Sequence, residues 1–381
     1  MTRWAMLTGE YPPQPGGVSD YVRLVATALT EAGDQVDVYA PGIHGQRNTR
    51  TSESGVQIHR LVGGYGIRSF GALNRLFDVN PPDRAIVQYV PHAFGCKAMN
   101  LPFAYWVSGS LRRRAPVWVM FHEVAFPFSF LPLRHAILGT VTGHMAKRIA
   151  SAAERVFVSI PAWEEMIKRF CPSARAPEWL PIPCLLPRPC DDELAKVIRR
   201  TRAPGHLKLI GHFGTFPSHI THLLGAVLVA VLERDSDVRA LLLGRDSIAF
   251  SNRLIGQFPA LAGRVHATGE LPADQVVSHV SACDLLVQPY SDGVSSRRSS
   301  LMPALANGIP VVTNLGVLSE PLWTAGGVAA ASTPDAALIS AKCIELLAND
   351  SLRRRIGEEG RQLYERTFTL ERTIATLRGR A

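Results

Sequence analysis

Residues Leu285–Asn314 read LLVQPYSDGVSSRRSSLMPALANGIPVVTN. Leu285, Leu286 and Val287 form one apolar run, and Ile309–Val312 form another. Short runs of this kind predict strands buried on both faces, as in a parallel sheet. Between them, Leu301–Ala306 predicts a helix, ended by Gly308 and Pro310. The loop before that helix holds Arg297, Arg298 and several serines. The first turn of a helix has unpaired N–H groups and partial positive charge, so such a loop suits an anion. Arg297 and Arg298 add fixed charge, and Ser299 and Ser300 add hydroxyl donors. A diphosphate fits that set. An isolated serine–arginine run is more often a solvated loop, but this one lies where a strand ends and a helix begins, and open α/β sheets bind ligands there.

The same alternation runs in both directions from this stretch. Upstream, strands are predicted at Lys208–Phe213, Arg239–Gly244 and Val265–Thr268, with helices at Leu223–Leu232 and Ser247–Gln257. Gly214 and Thr215 follow the first of these strands. Downstream come a strand at Val328–Ala331 and helices at Asp335–Ala348 and Ser351–Phe368. Nearer the N-terminus, Trp4–Leu7 and Val36–Tyr39 flank a helix that starts near Ser19. The loop between the first strand and that helix holds Gly16 and Gly17, where absent side chains would let backbone N–H groups approach a phosphate. The GxGxxG fingerprint of dinucleotide binding is missing. Val56–Leu61, Ala85–Tyr89, Val117–Phe121 and Val156–Ser159 are further strands. His122 and Glu123 stand at the carboxyl end of one of them, the ligand side of such a sheet. Phe126–Leu133 is unusually apolar; it reads equally as a cleft lining, a membrane-touching surface or a buried linker. The proline-dense stretch Pro172–Pro189 marks an interdomain linker.

The 381 residues exceed one ordinary core, and 46% hydrophobic with 19% charged residues is a globular balance. The expected architecture is α/β: two Rossmann-like domains facing across a cleft. They span 1–186 and 187–362, and a C-terminal helix over 363–381 crosses back to the first. A net charge of +9 favours an anionic partner. Its basic residues are dispersed and no zinc-finger or RNA-binding motif occurs, so nucleic acid is not expected. Six scattered cysteines without a CxxC pair read as reduced thiols of a cytoplasmic protein. No apolar run is long enough to span a bilayer, which leaves peripheral attachment at the inner membrane face open.

The chain resembles the retaining family-4 glycosyltransferases of GT-B fold over nearly its whole length. Tyr11-Pro12-Pro13 with Gly16-Gly17-Val18-Ser19 and Tyr21 is similar to that family's glycine loop, and Phe121-His122-Glu123 to its strand-end histidine. Ala282-Cys283-Asp284-Leu285 with Pro289, and Ala304–Val312, resemble its donor-site approach. The resemblance implies a nucleotide-sugar donor, transfer with retention and no metal cofactor. The acceptor would be a glycan, a lipid-linked or a small molecule. Gly16 and Gly17 would approach the donor diphosphate, with Thr215, Ser299 and Ser300 near it. His122 would bind the transferred sugar or assist at the reacting centre. The family's two loop glutamates, eight positions apart, fall here near Ser295 and Pro303, and its arginine and lysine after the strand ending at Phe213 are absent. Arg297 and Arg298 are expected to replace that cationic pair, and Asp292 or Glu320 to supply a hydroxyl-binding carboxylate. The missing glutamates keep two alternatives: a non-catalytic nucleotide-binding protein and a sugar-nucleotide epimerase.

Overall fold

The computed structural model describes residues 1–43, 49–128, 133–186 and 191–379. The chain divides into two compact units, Met1–Ile182 with Leu370–Ala381, and Pro183–Thr369. The linker positions Pro187–Cys190 and part of the apolar stretch, Ser129–Pro132, lie outside the described residues.

The first unit is built on eight strands: β1 (Arg3–Thr8), β2 (Gln35–Pro41), β3 (Thr49–Glu53), β4 (Val56–Leu61), β5 (Arg84–Tyr89), β6 (Val117–Phe121), β7 (Arg155–Val158) and β8 (Glu178–Trp179). Their order is β3-β4-β2-β1-β5-β6-β7-β8. All neighbours are parallel except the β3–β4 pair. All five residues of β6 are buried, which is why it reads as an unbroken apolar run. β8 is a two-residue strand inside the predicted linker, paired with β7 through Phe157–Glu178 and Val158–Trp179.

The second unit follows the order β11-β10-β9-β12-β13-β14. Its strands are β9 (Lys208–Phe213), β10 (Val238–Leu243), β11 (Val265–Ala267), β12 (Leu285–Gln288), β13 (Val311–Asn314) and β14 (Ala329–Ala331). Every pair is parallel. Numbered within the unit, this is the 3-2-1-4-5-6 order of a doubly wound sheet, whose direction of winding reverses between β9 and β12. Leu241, Leu243 and Leu286 face one core layer, and Ile210, Leu242 and Val287 face the other.

The predicted helix Ser351–Phe368 is present almost as expected, and the C-terminal helix expected over 363–381 starts later, at Leu370. Asp350–Thr367 stays with the second unit, and Leu370–Arg378 packs in the first. There the Arg378 guanidinium lies 3.2 Å from Asp34, a fully buried carboxylate, and Arg155 and Arg84 donate to the carbonyls of Thr376 and Leu377.

Candidate functional site

In the second unit, the loops after β9 and β12 leave the sheet side by side at the point where the winding reverses. Gln288, the last residue of β12, is buried and its Nε2 donates to the carbonyls of Phe213 (3.0 Å) and Ser300 (3.2 Å), so one amide ties both loops. Thr215 lies in the first loop. That loop is crossed closely by another: a Cβ on Gly244 would come 1.9 Å from the Gly214 carbonyl oxygen. His212, buried beneath, holds the Val287 carbonyl through Nδ1 at 2.8 Å. Burial pushes its pKa down to about 4.

The second loop is fixed by backbone contacts. Tyr290 exchanges hydrogen bonds with the Asn314 side chain, and Val294 N donates to the Asn314 carbonyl. Gly293 and Gly316 touch so closely that a Cβ on either would meet backbone within 2.6 Å. Asp292 is thereby set in place, and it engages both arginines. Arg297 Nη2 donates to its Oδ2 at 2.7 Å, and Arg298 Nη2 donates to Oδ1. Two guanidiniums against one carboxylate leave one net positive charge, with all three side chains about one-fifth to one-quarter exposed. Arg298 also lies over the Tyr290 ring, 4.6 Å from its centroid, and Tyr290 OH reaches Ser300 Oγ at 2.9 Å. Ser299–Leu301 form one 3-10 turn that leads into the five-residue helix Met302–Ala306. Arg297, Arg298, Ser299 and Ser300 thus lie on one turn, with Asp292 and Tyr290 against them. The helix behind them is a single turn and supplies only a small dipole.

The expected hydroxyl-binding carboxylates are both engaged internally. Asp292 holds the arginines. Glu320 is 5% exposed, and its oxygens accept from Ser296 N (2.9 Å), Ser296 Oγ and Trp323 Nε1 (2.6 Å). Its place is under the loop, as an anchor. Ser295, at one position of the missing glutamates, is fully buried and its Oγ has no hydrogen-bond partner.

In the first unit the winding reverses between β1 and β5. A Cβ on Gly9 would lie 2.4 Å from the Ala93 carbonyl oxygen, so the two loops at that point are pressed together. Gly16 precedes the helix Gly17–Glu31, and a Cβ there would lie 2.5 Å from Glu10 Oε2. Its missing side chain makes room for that carboxylate. A Cβ on Gly17 would meet nothing within 4 Å. His122 is buried beside the Tyr21 ring, 4.9 Å between centroids, and its Nε2 pairs with Gln88 Oε1 at 2.9 Å. Its carbonyl accepts from Ser159 Oγ and Trp163 Nε1. Burial lowers its pKa to about 3, so the ring is neutral near pH 7. If Nε2 carries the proton given to Gln88, Nδ1 is left as an acceptor.

Sequence reasoning passed over Glu10 and His92. His92 Nε2 lies 3.6 Å from Glu10 and Nδ1 3.9 Å from Glu123, and the Glu10 hydrogen bond chiefly raises its pKa above the ordinary histidine value. The available signal was positional: these residues follow the carboxyl ends of β1, β5 and β6, which are neighbours in the sheet. Among the described residues no group of three His, Cys, Asp or Glu is placed to hold a metal, and no helix is long and apolar enough to cross a membrane.

Two family models match in succession. Residues 16–184 match a glycosyl transferase 4-like domain, and residues 207–349 match glycosyl transferases group 1. No curated protein matches the chain in sequence. Solved structures do match along its full length. Sucrose-phosphate synthase from Thermosynechococcus elongatus superposes with a TM-score of 0.72 at 19% identity, covering 100% of this chain and 98% of that one. Anabaena HepE in complex with UDP and glucose gives 0.68 at 14%, covering 100% and 99%. α,α-Trehalose 6-phosphate synthase from Burkholderia multivorans gives 0.66 at 13%, covering 100% and 96%. At these identities the likeness is one of fold, and the fold is the one the sequence resemblance implied. The two domain matches, in this order and on this fold, settle the family: the chain belongs to the GT-B glycosyltransferases, family-4-like in its first domain and group 1 in its second.

Proposed function

We propose that the chain transfers a glycosyl group, with retention, from a nucleotide-diphosphate sugar to an acceptor hydroxyl on a glycan, a lipid-linked glycan or a small molecule. The observation that carries this is the arginine–serine loop at the winding reversal of the second unit. Arg297, Arg298, Ser299, Ser300 and Thr215 supply donors to a diphosphate there, and Asp292 presets the guanidiniums. In the transfer, the acceptor oxygen bonds to the anomeric carbon as the bond from that carbon to the diphosphate breaks. The acceptor proton passes to a phosphate oxygen on the same face. Charge growing on the leaving diphosphate is met by the arginines and loop amides. His122, neutral and with Nδ1 open as an acceptor, takes a hydroxyl of the transferred sugar. Gly17 leaves the start of its helix open to a phosphate, while the space at Gly16 is taken by the Glu10 carboxylate. UDP-glucose is the first donor to test, since HepE has been solved in complex with it.

Calorimetric titration with UDP, GDP, ADP and dTDP and their glucose conjugates tests the donor site. One nucleotide should bind, and Arg297→Ala or Arg298→Ala should each weaken it at least about tenfold, since a charge-assisted contact contributes about 1.5–3 kcal/mol. Unchanged affinity in both variants would remove the loop from the donor site.

A further inference from the structure

Gln88 is the one amide side chain on β5, whose sequence is RAIVQY, and it is fully buried. Thr8 of β1 and Met120 of β6 stand at its register on either side. Residues two apart along a strand share a face, so His122, two beyond Met120, has its ring on the face that holds Gln88. The amide Oε1 lies 2.9 Å from His122 Nε2. The amide Nε2 is buried with no hydrogen-bond partner among the described residues. An apolar side chain would fill this row without that penalty, whereas a buried amide with one end unmatched lowers stability. What the glutamine adds is its contact with the ring. The rest of His122 is fixed by other groups. Its N donates to the Tyr89 carbonyl at 3.1 Å, its carbonyl accepts from Ser159 Oγ at 3.1 Å and Trp163 Nε1 at 2.9 Å, and the Tyr21 ring meets its ring at 78°. Those contacts set where the ring stands, and none of them is made to a ring nitrogen.

We infer that Gln88 is a positioning residue: its amide oxygen keeps the His122 proton on Nε2 and so makes Nδ1 an acceptor for a ligand hydroxyl. A neutral imidazole has one N–H and one bare nitrogen, and the hydrogen bond made at one decides the other. An amide oxygen only accepts, so it holds the proton at the nitrogen it faces. Being uncharged, it does not favour the imidazolium, as a carboxylate would. A hydroxyl proton can meet the lone pair on Nδ1; an ionised phosphate or carboxylate oxygen cannot. That the hydroxyl belongs to the transferred sugar rests on the glycosyl transfer proposed above, but the place of the proton does not.

The test is nitrogen NMR of the full chain carrying labelled histidine near neutral pH, with the His122 signals assigned by their loss in His122→Gln. The parent chain should show Nε2–H and a bare Nδ1. Gln88→Glu should change this, because a buried carboxyl brings one proton more to the pair. Nδ1 then carries a proton whether the ring becomes imidazolium or the carboxyl donates to Nε2. Gln88→Met offers no oxygen, and it should also move the proton toward Nδ1, since Nε2–H would be left unmatched. In calorimetry the affinity for UDP-glucose relative to UDP should fall about fivefold in Gln88→Glu, the loss of one hydrogen bond. Thermal melts check that each variant is folded. Nδ1–H in the parent chain, an unmoved proton in either folded variant, or a parental affinity ratio where the proton has moved would each overturn the inference. Failure of the parent chain to bind UDP or UDP-glucose would count against the proposed donor instead, and the NMR result would still decide Gln88.

Discussion

Arg297 and Asp292 are joined at 2.7 Å, and the same carboxylate also holds Arg298, so the cations expected to face a diphosphate already share an anion of the chain. Asp292 has two effects on a ligand: it orients the guanidiniums and it competes for them. At roughly one-quarter exposure, competition is screened to on the order of 1 kcal/mol. Asp292→Asn should therefore strengthen UDP binding about fivefold. Calorimetry in physiological salt measures this. Weaker binding by a variant that melts normally would show that orientation outweighs competition.

Glu320 sits beneath that loop with Ser296 and Trp323 donating to it. Glu320→Gln would turn an amide donor toward the Trp323 N–H or the Ser296 amide. Leaving a buried donor unmatched costs about 1–3 kcal/mol. Urea unfolding of the variant should show a loss in that range. A change within about 0.5 kcal/mol, the scatter of ordinary surface substitutions, would mean that the anchor is dispensable.

Gly244 has a φ of +121° and faces the Gly214 carbonyl. A side chain there meets both backbone strain and a backbone atom that cannot move without shifting the Thr215 loop. Gly244→Ala should lower stability by about 2 kcal/mol or more. Gly17→Ala is the contrast, because its Cβ would enter open space. Equal melting temperatures for the two variants would contradict the close crossing.

His122 and His212 are neutral in the fold, with pKa values lowered by burial to about 3 and about 4. An unfolded histidine titrates near 6.5, so below that pH the unfolded chain binds protons that the folded chain refuses. Stability should fall as pH drops from about 6.5 toward 4, by up to about 1.4 kcal/mol per pH unit for each ring. Urea midpoints between these pH values test this, and His212→Gln should flatten the slope. An unchanged slope would mean that acid loss arises elsewhere. His92 has the opposite sign: its pKa is raised, so its contribution is present at low pH and fades as pH rises through the folded value. Its ring should titrate above 6.5 by NMR.

The parallel strands were legible because burial on both faces leaves nothing but apolar residues, as in Leu285–Val287 and Val117–Phe121. β3 was not: all five residues of Thr49–Glu53 are exposed, and only antiparallel pairing with β4 makes them a strand. The helices Ile67–Val79 and Leu101–Trp106 also went unpredicted. The break near Thr369 falls at Thr367-Phe368-Thr369, three weaker helix formers at the end of a charged helix, close to where the sequence ends it. At the candidate site, chain order alone puts Arg297, Arg298, Ser299 and Ser300 on one loop. Their sharing of Asp292 depends on how Gly293 packs against Gly316, which are 23 positions apart in the numbering. The engagement of Glu320 by Trp323 and Ser296 was hidden for the same reason, and the meeting of Glu10, His92 and Glu123 follows from strand order.

The helix Leu370–Arg378 has a consequence for biosynthesis. Met1–Ile182 leaves the ribosome first, yet the piece that covers Asp34 leaves after all of Pro183–Thr369. Until that late segment emerges, Asp34 and the surface on which the helix docks stand uncovered, which makes the nascent first unit the half more exposed to chaperones and proteases during translation.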